Sequence, residues 1–202
     1  MQGHRSTLME KASPKEDSPE VSDRDLVVAS LADPDNFSLL VKRYWDRLFR
    51  YVRRISFSSN EDIEDILQET FIKIYKNLNA FDGDLAFSTW AYQITRNCAV
   101  DALRKKQVRP QTVILADEEW EELRVAAEEL EESNFSLEVV QKAIAALPLK
   151  YREPFTLFYF EHKTYEELID ILKKPKGTIA SLLSRAKGMV HEEVRRLSSS
   201  YE

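Results

Sequence analysis

The stretch Thr164–Leu183, TYEELIDILKKPKGTIASLL, carries two helix signals separated by a break. Thr164 followed by Glu167 is typical of a capping box, in which side chains and backbone amides at a helix start bond reciprocally. Pro175 ends that helix, and Thr178 is expected to cap a final helix. A short helix, a tight turn and a second capped helix form the helix-turn-helix pattern. Because many helical hairpins share it, the pattern alone predicts a fold and not a function.

Apolar side chains recur at helical spacing through the rest of the chain. Two stripes lie within residues 37–52 and 63–78, and a third helix is expected over 87–106. Ser58 and Glu61 predict a capping box at the start of the second helix. The 202 residues include only four glycines and show little β-branched alternation. The sequence therefore predicts an all-α fold.

The predicted organisation is two small helical domains joined by an acidic linker. The polar N-terminal residues predict a disordered tail. The linker lacks a strong apolar stripe, although Trp120 and Leu123 would suit a short helix. The expected boundaries are 1–21 for the tail, 22–107 for a helical bundle, 108–135 for the linker and 136–202 for the helix-turn-helix domain.

The net charge of −6 hides an uneven distribution of charges. Residues 117–132 hold nine acidic residues and one arginine, a local net charge of −8, so the rest of the chain carries +2. Two basic patches with acid between them indicate a surface that attracts polyanions. The basic residues are Arg96, Arg104, Lys105, Lys106 and Arg109 before the strip, and Lys173, Lys174, Lys176, Arg185 and Lys187 after it.

Several function classes are disfavoured by what the sequence lacks. The single cysteine, Cys98, cannot form an internal disulfide, and the three histidines are far apart, so we expect neither a metal site nor a cofactor. No carboxylate–histidine constellation, phosphate-binding glycine loop or nucleophile motif points to an enzyme. The N-terminus has no apolar signal core and no run is long enough to span a bilayer, so we expect a cytoplasmic protein.

Several stretches carry a family resemblance by their order along the chain. EDILQETF at Glu64–Phe71 is followed by FDGDLAFSTW at Phe81–Trp90. ALP at Ala146–Pro148 and YRE at Tyr151–Glu153 then precede the stretch at Thr164–Leu183. Together they resemble the extracytoplasmic-function (ECF) group of the bacterial sigma-70 family, RNA polymerase sigma factors that keep two domains and a short linker. The resemblance covers about 23–107 and 136–197.

The resemblance implies a role in transcription initiation. The bundle would be sigma region 2, which binds the clamp helices of core RNA polymerase and recognises and melts the minus-ten element. The helix-turn-helix domain would be sigma region 4, which reads the minus-thirty-five element. The linker resembles the segment that passes through the polymerase cleft. The implied partners are core RNA polymerase and promoter DNA, both duplex and melted, and an anti-sigma factor or another recruiting protein is a further candidate.

The resemblance also assigns site residues by position. Aromatic rings offer stacking worth about 1–3 kcal/mol per base and cations offer phosphate contacts, which is what strand opening needs. The turn at Gly83 resembles the loop that pockets a flipped base, whereas Phe87 and Trp90 fit a structural core equally well. The residues are Asp65, Gln68 and Glu69 for polymerase; Asp82, Gly83, Asp84, Phe87, Trp90, Tyr92, Arg96, Asn97, Arg104, Lys105 and Lys106 for minus-ten DNA; and Lys174, Lys176, Thr178, Ala180, Ser181, Ser184, Arg185 and Lys187 for minus-thirty-five DNA.

The recognition helix departs from the family pattern. The family usually has Gly-Thr-Val-Lys-Ser-Arg where this chain has GTIASL, so Ala180 and Leu182 replace two cations. Lys173 stands at the usual turn glycine, and Lys174 replaces an apolar residue. We expect phosphate contacts to persist while base-edge contacts are lost. A second hypothesis is that Ala180 and Leu182 form an apolar patch for another protein.

A rival interpretation is a helix-turn-helix regulator that binds duplex DNA without polymerase. It explains the C-terminal half of the chain but gives no role to residues 65–106. Binding of core polymerase distinguishes the two interpretations.

Overall fold

The computed structural model describes residues 21–81, 83–106, 117–129 and 135–199. Within these ranges the backbone forms helices and turns without a strand, so the predicted all-α fold is confirmed. Two short 3₁₀ turns, Pro34–Asn36 and Leu78–Ala80, follow the first and third helices. The helices are α1 (Asp23–Ala32), α2 (Phe37–Ser56), α3 (Asn60–Lys76), α4 (Phe87–Lys106), α5 (Asp117–Glu129), α6 (Leu137–Ala145), α7 (Leu149–Tyr159), α8 (Tyr165–Leu172) and α9 (Lys176–Ser198).

Side-chain caps fix several of the helix starts, including those of α1 and α3. Ser22 caps α1 by accepting a hydrogen bond from the backbone N–H of Asp25. The predicted Ser58–Glu61 capping box is wrong, because Ser59 is the N-cap of α3 and accepts from the N–H of Asp62 at 3.3 Å. Ser59 has the extended backbone that an N-cap needs.

The helix-turn-helix segment contains one predicted cap and lacks another. The Thr164–Glu167 capping box of α8 is confirmed: the Glu167 N–H donates to Thr164 Oγ1 at 3.2 Å, and the Thr164 N–H donates to Glu167 Oε2 at 2.9 Å. The predicted Thr178 cap is wrong, because the N-cap of α9 is Pro175, three residues earlier, and the helix begins at Lys176. The N–H of Thr178 donates to the Pro175 carbonyl oxygen, so Thr178 lies inside the first turn.

Removing the cap of α8 should cost stability. We expect Thr164→Ala to lower the free energy of unfolding by about 1 kcal/mol, because one backbone N–H of α8 loses its acceptor. Urea unfolding measures the change. Thr164→Ser keeps the hydroxyl and should remain within about 0.5 kcal/mol of the wild type. Equal stability of the alanine and serine variants would contradict the role of the cap.

The first core lies among α1, α2, α3 and α4. Leu40, Leu48, Ile63 and Leu67 are fully buried there. They come from the stripes predicted over 37–52 and 63–78, and α4 closes the bundle with Ala91 and Ala99. The bundle therefore leaves the opposite face of α3 and the end of α4 at the surface.

A second core joins α5, α6, α7 and α9. Leu123, Ala126 and Ala127 of α5 are buried in a cluster with Val140 of α6 and Val190 of α9. Part of the segment interpreted as a linker, for which Trp120 and Leu123 suggested a short helix, is thus a helix packed on the second half. Among the α5 side chains that the structure describes, Leu123, Ala126 and Ala127 are buried, and the two alanines do not stand out as an apolar stripe in the sequence.

The two halves of the chain are in contact. Helices α7 and α8 pack against α2 and α4. Leu157, Leu168 and Ile171 belong to the same buried cluster as Leu48 and Tyr92 of the first half. The sequence predicted two domains connected by a linker, and it did not predict this shared core.

Candidate polymerase and nucleic-acid surfaces

Helix α3 presents an acidic face to solvent. Asp65, Gln68 and Glu69 are exposed and, at spacings of three and four residues, share one side of the helix. Lys73 Nζ lies 2.7 Å from Glu69 Oε1, and this hydrogen bond lowers the pKa of the Glu69 carboxyl. Glu69 is therefore negatively charged at neutral pH. The three residues predicted to bind polymerase form one continuous surface, which we call the acidic face.

A groove of about 210 Å³ runs from the acidic face to the end of α4. Asp65 and Glu69 line it from α3, and Asp101 and Lys105 line it from α4. It therefore brings together residues that the sequence assigned to two different sites. A protein on the acidic face and a nucleic acid at the end of α4 would lie side by side.

The acidic face continues into apolar surface that the sequence analysis missed. Ile72 is 53% exposed and Tyr75 is 45% exposed, near the C-terminal end of α3. The Tyr75 ring packs edge-on against Phe37, with centroids 5.1 Å apart, and both line a shallow apolar groove with Phe71. Ile72 lies three residues after Glu69, off the buried stripe of the helix. The sequence could have indicated this surface, because an isoleucine outside the buried stripe of a helix faces solvent.

The Gly83 turn leads into α4, and Gly83 itself has φ of +79°, which glycine adopts without strain. Asp84 is exposed, and Asp82 lies outside the described residues. Phe87, the first residue of α4, is 3% exposed. Its ring meets Tyr44 at 5.2 Å and Trp90 at 5.8 Å between centroids. In this structure Phe87 is a core side chain.

The remaining residues predicted for minus-ten DNA differ in accessibility. Trp90 is half-buried and packs on Phe81, with centroids 5.2 Å apart. Tyr92 is fully buried, and Arg96 is partly covered by Glu153 of α7, at 3.1 Å. The exposed members are Asn97, Arg104 and Lys105, while the side chain of Lys106 lies outside the described set. Only part of the predicted surface is therefore open to solvent.

The helix-turn-helix places its cations around the turn. Lys173 adopts the left-handed backbone, with φ of 51° and ψ of 49°, where the family usually has glycine. Ile179 and Leu183 are buried and hold α9 on α8. The residues predicted to meet minus-thirty-five DNA share one side of this element: Lys174, Lys176, Thr178, Ala180, Ser181, Ser184 and Arg185 are exposed, and Lys187 is half-buried.

The exposed side of α9 is weakly equipped to read bases. Ser181 Oγ donates to the Gly177 carbonyl oxygen at 2.9 Å, and Lys176 lies 3.3 Å from Glu166. Ala180 is exposed and Leu182 is half-buried. Both side chains are apolar, so neither supplies a hydrogen-bonding group to a base. The cations at the turn and at Arg185 can still contact phosphates.

Metal and membrane sites have no support in the described parts of the chain. Their histidines, cysteine and carboxylates form no cluster able to hold a metal ion. Among the same residues, no helix combines the length and the apolar character that crossing a membrane requires.

Two family models match the chain. Sigma-70 region 2 matches residues 40–109, and Sigma-70, region 4 matches residues 137–190. These ranges contain α3 and α4 in the first case, and α6–α8 with most of α9 in the second.

Curated relatives and solved structures agree with those matches. The ECF RNA polymerase sigma-E factor of Haemophilus influenzae is 32% identical over 173 residues, 82% of this chain and 90% of the relative. The ECF RNA polymerase sigma factor SigW of Bacillus subtilis is 32% identical over 175 residues, which cover 82% of this chain and 92% of the relative.

Two solved structures share the fold at lower identity. CnrH in complex with the cytosolic domain of CnrY has a TM-score of 0.64 at 22% identity, covering 86% of this chain and 97% of the other. RpoE from Bartonella quintana, bound to the anti-sigma factor NepR, has a TM-score of 0.58 at 20% identity, and the match covers 79% of this chain and 97% of the other. The chain therefore belongs to the ECF group of the sigma-70 family, sigma factors that bind core RNA polymerase and direct promoter recognition and that are not enzymes.

Proposed function

We propose that the acidic face of α3 docks on core RNA polymerase while the basic end of α4 engages the opened minus-ten element. The observation that carries the proposal is the groove that both surfaces border, lined by Asp65, Glu69 and Lys105. The α3 side of this groove carries Asp65 and Glu69, and the α4 side carries Lys105 together with Asp101. The cation that a polyanion needs therefore lies at the Lys105 end of α4, next to the carboxylates that suit a basic protein surface.

The family assignment favours a sigma factor over the rival interpretation, a helix-turn-helix regulator that acts without polymerase. The acidic face is the surface that distinguishes the two. Such a regulator uses the helix-turn-helix of α8 and α9 and has no need of an exposed carboxylate pair on α3. Carboxylates repel DNA phosphates, so Asp65 and Glu69 suit contact with a basic protein surface. Retention of core polymerase on an immobilised wild-type chain supports the proposal. A chain that binds duplex DNA but retains no polymerase would contradict it.

Strand opening would rest on few side chains. Trp90 is the half-buried ring beside the Gly83 turn, and it can offer one face to an unstacked base. Phe87 and Phe81 hold that ring in place through edge and tilted contacts. Arg104 and Lys105 are exposed and can hold the phosphates of the separated strand. In this proposal Phe87 positions Trp90 and does not itself meet a base.

Helix α9 would contribute mainly sequence-independent affinity. Lys174, Lys176 and Arg185 face solvent and can bind phosphates, whereas Ala180 and Leu182 offer no hydrogen bond to a base edge. A bidentate contact between a cation and guanine discriminates by about 1–3 kcal/mol, and these two positions supply none.

Three further expectations stay predictions: binding of another protein by Ala180 and Leu182, an anti-sigma partner, and the passage of the acidic segment through the polymerase cleft. Because a sigma factor binds RNA polymerase, it has to be in the same compartment, and we therefore propose that the chain is cytoplasmic.

Transcription should depend only weakly on the minus-thirty-five sequence. We expect scrambling that element to lower the run-off yield by less than about tenfold, because few base-edge contacts are lost. Ala180→Lys combined with Leu182→Arg should increase the dependence on the element. Run-off transcription on matched intact and scrambled promoters measures both effects. A steep loss for the unmodified chain on the scrambled promoter would show that its helix already reads bases well.

A further inference from the structure

The turn between α8 and α9 holds Lys173 in a backbone conformation that suits lysine poorly. Lys173 is the C-cap of α8, with φ of 51° and ψ of 49°, in the left-handed region. A residue with a Cβ is disfavoured there, because the Cβ crowds the following carbonyl oxygen. Glycine avoids this crowding, and asparagine tolerates it through local hydrogen bonds. Lysine has neither advantage, so the turn carries a local conformational cost.

Packing on both sides of the turn imposes this conformation. Leu172, the last residue of α8, is 4% exposed, and Ile179 in the first turn of α9 is fully buried. Both side chains belong to the same buried cluster, which holds α9 against α8. Because these two anchors fix the directions of the helices, residue 173 cannot adopt a right-handed backbone unless one helix moves. The strain is therefore part of the helix-turn-helix geometry.

The side chain of Lys173 does nothing within the described fold to offset this cost. It is exposed and, in the parts of the chain that the structure describes, it makes no ion pair or hydrogen bond. Phe57 has a similar backbone, with φ of 52°, but its ring is buried and lies 4.3 Å from the guanidinium carbon of Arg152. Packing accounts for the left-handed Phe57, and it does not account for Lys173.

The neighbouring charges add to the cost. Lys174 and Lys176 are also exposed, so three ammonium groups stand on one short turn. Lys176 Nζ lies 3.3 Å from Glu166 Oε1, which offsets that charge locally. Lys174, like Lys173, pairs with no carboxylate among the described residues. Like charges this close together repel one another, and they favour a bound anion.

The turn stands where a helix-turn-helix meets the DNA backbone. In this motif the second helix enters the major groove with its N-terminal residues toward the base edges. Helix α9 is that second helix, and it begins at Lys176, three residues after Lys173. The partial positive charge of a helix N-terminus favours phosphate at the same place. A lysine on the turn before α9 is therefore placed to reach the phosphates that border the groove.

We propose that Lys173 binds a phosphate of the promoter duplex, and that this contact, gained at a cost in fold stability, supplies affinity that does not depend on sequence. Lys173 is not among the residues predicted from the sequence to meet minus-thirty-five DNA. The proposal rests on the proposed function, since it adds a contact to the DNA surface of α9. It fits the absence of cations at Ala180 and Leu182, because phosphate contacts then have to supply more of the affinity.

Lys173→Gly tests the proposal, because it removes the cation and the conformational cost together. We expect the unfolding midpoint to rise by about 2 °C, since glycine adopts the left-handed region freely. Affinity for a fluorescein-labelled duplex should fall about fivefold at about 100 mM salt, and the slope of log K against log salt concentration should flatten by about 0.9. Fluorescence anisotropy with the full-length chain measures binding, and thermal unfolding followed by circular dichroism measures the midpoint.

Two further variants isolate the charge. Lys173→Arg restores a cation in the strained position, so it should recover most of the duplex affinity without the rise in midpoint. Lys42→Ala removes one exposed cation from α2, in the first half of the chain, and should leave duplex affinity within about twofold of the wild type. Two duplexes of equal length and unrelated sequence should lose the same factor in Lys173→Gly, because a phosphate contact carries no sequence information.

Opposite changes in stability and in affinity are the predicted result for Lys173→Gly. Wild-type affinity in that variant, or a wild-type chain that binds neither duplex, would overturn the phosphate contact. A lower unfolding midpoint would overturn the conformational cost, and a loss confined to one duplex would overturn the independence from sequence. Retention of core polymerase is measured separately, and its failure would count against the proposed function while leaving the duplex results intact.

Discussion

Reversing both charges of the acidic face, with Asp65→Lys and Glu69→Lys, is expected to weaken binding of core RNA polymerase about a hundredfold or more. Close charge pairs across an interface contribute at least about 1.5 kcal/mol each, so the loss of two corresponds to two factors of ten. Both side chains are exposed, and the Glu69–Lys73 pair is a surface pair worth about 0.5 kcal/mol at most. Helical content and the unfolding midpoint should therefore change little. Binding of labelled core polymerase measures the effect.

A matched variant separates local contact from overall charge. Asp35→Lys with Asp46→Lys makes the same change in net charge at two exposed positions before α2 and on α2. It should bind core polymerase within about threefold of the wild type, because scattered surface charges act mainly through screened long-range attraction. Undiminished polymerase binding by the Asp65 and Glu69 variant would show that the acidic face is only a solvated helix surface.

Removing the basic run at the end of α4 should have the second largest effect. We expect alanine at Arg104, Lys105 and Lys106 to flatten the salt dependence of opened-promoter binding. The slope of log K against log salt concentration should fall by about 2 to 3, because each lost phosphate contact removes about 0.7–0.9. Between about 50 mM and 200 mM salt, the wild type should lose about 20- to 40-fold more affinity than the variant. Permanganate footprinting should show reduced thymine reactivity at low salt, and the difference should narrow as salt rises.

The control for the basic run is a triple substitution at exposed cations elsewhere. Arg24, Lys42 and Lys150 are exposed on α1, α2 and α7. Alanine at all three makes an equal change in charge and should leave the salt slope within about one unit of the wild type. Wild-type thymine reactivity of the Arg104–Lys106 variant at low salt would contradict the assignment of this run to the opened strand.

Local patterns of the sequence predicted much of the fold. The stripes within 37–52 and 63–78 mark the buried faces of α2 and α3, and the Thr164–Glu167 box marks the start of α8. These predictions succeed because helix periodicity and capping depend on residues only a few positions apart. The exposure of the acidic face follows from the same logic, since Asp65 and Glu69 stand off the apolar stripe.

Contacts between residues far apart in the chain could not be predicted from the sequence. Arg96 and Glu153 each look like ordinary surface charges, and nothing local indicates that they pair across the two halves. Tyr92 was assigned to DNA by resemblance, yet it is buried between Tyr51 of α2 and Glu161, which lies between α7 and α8. The segment of α5 was interpreted as a linker, with a short helix at Trp120 and Leu123 as the alternative, because Ala126 and Ala127 bury little apolar area and their stripe is faint in an acidic segment.

Run-off transcription with purified core polymerase on a promoter-bearing fragment library tests the central claim most directly. Core polymerase alone starts without promoter specificity, and adding the chain should produce discrete transcripts from defined start sites. The Asp65→Lys and Glu69→Lys variant should fail to produce them, whereas the Asp35→Lys and Asp46→Lys variant should succeed. Discrete transcripts that require the wild-type chain are the predicted result. A chain that binds the fragments but leaves the transcripts of core polymerase unchanged would contradict its role as a sigma factor.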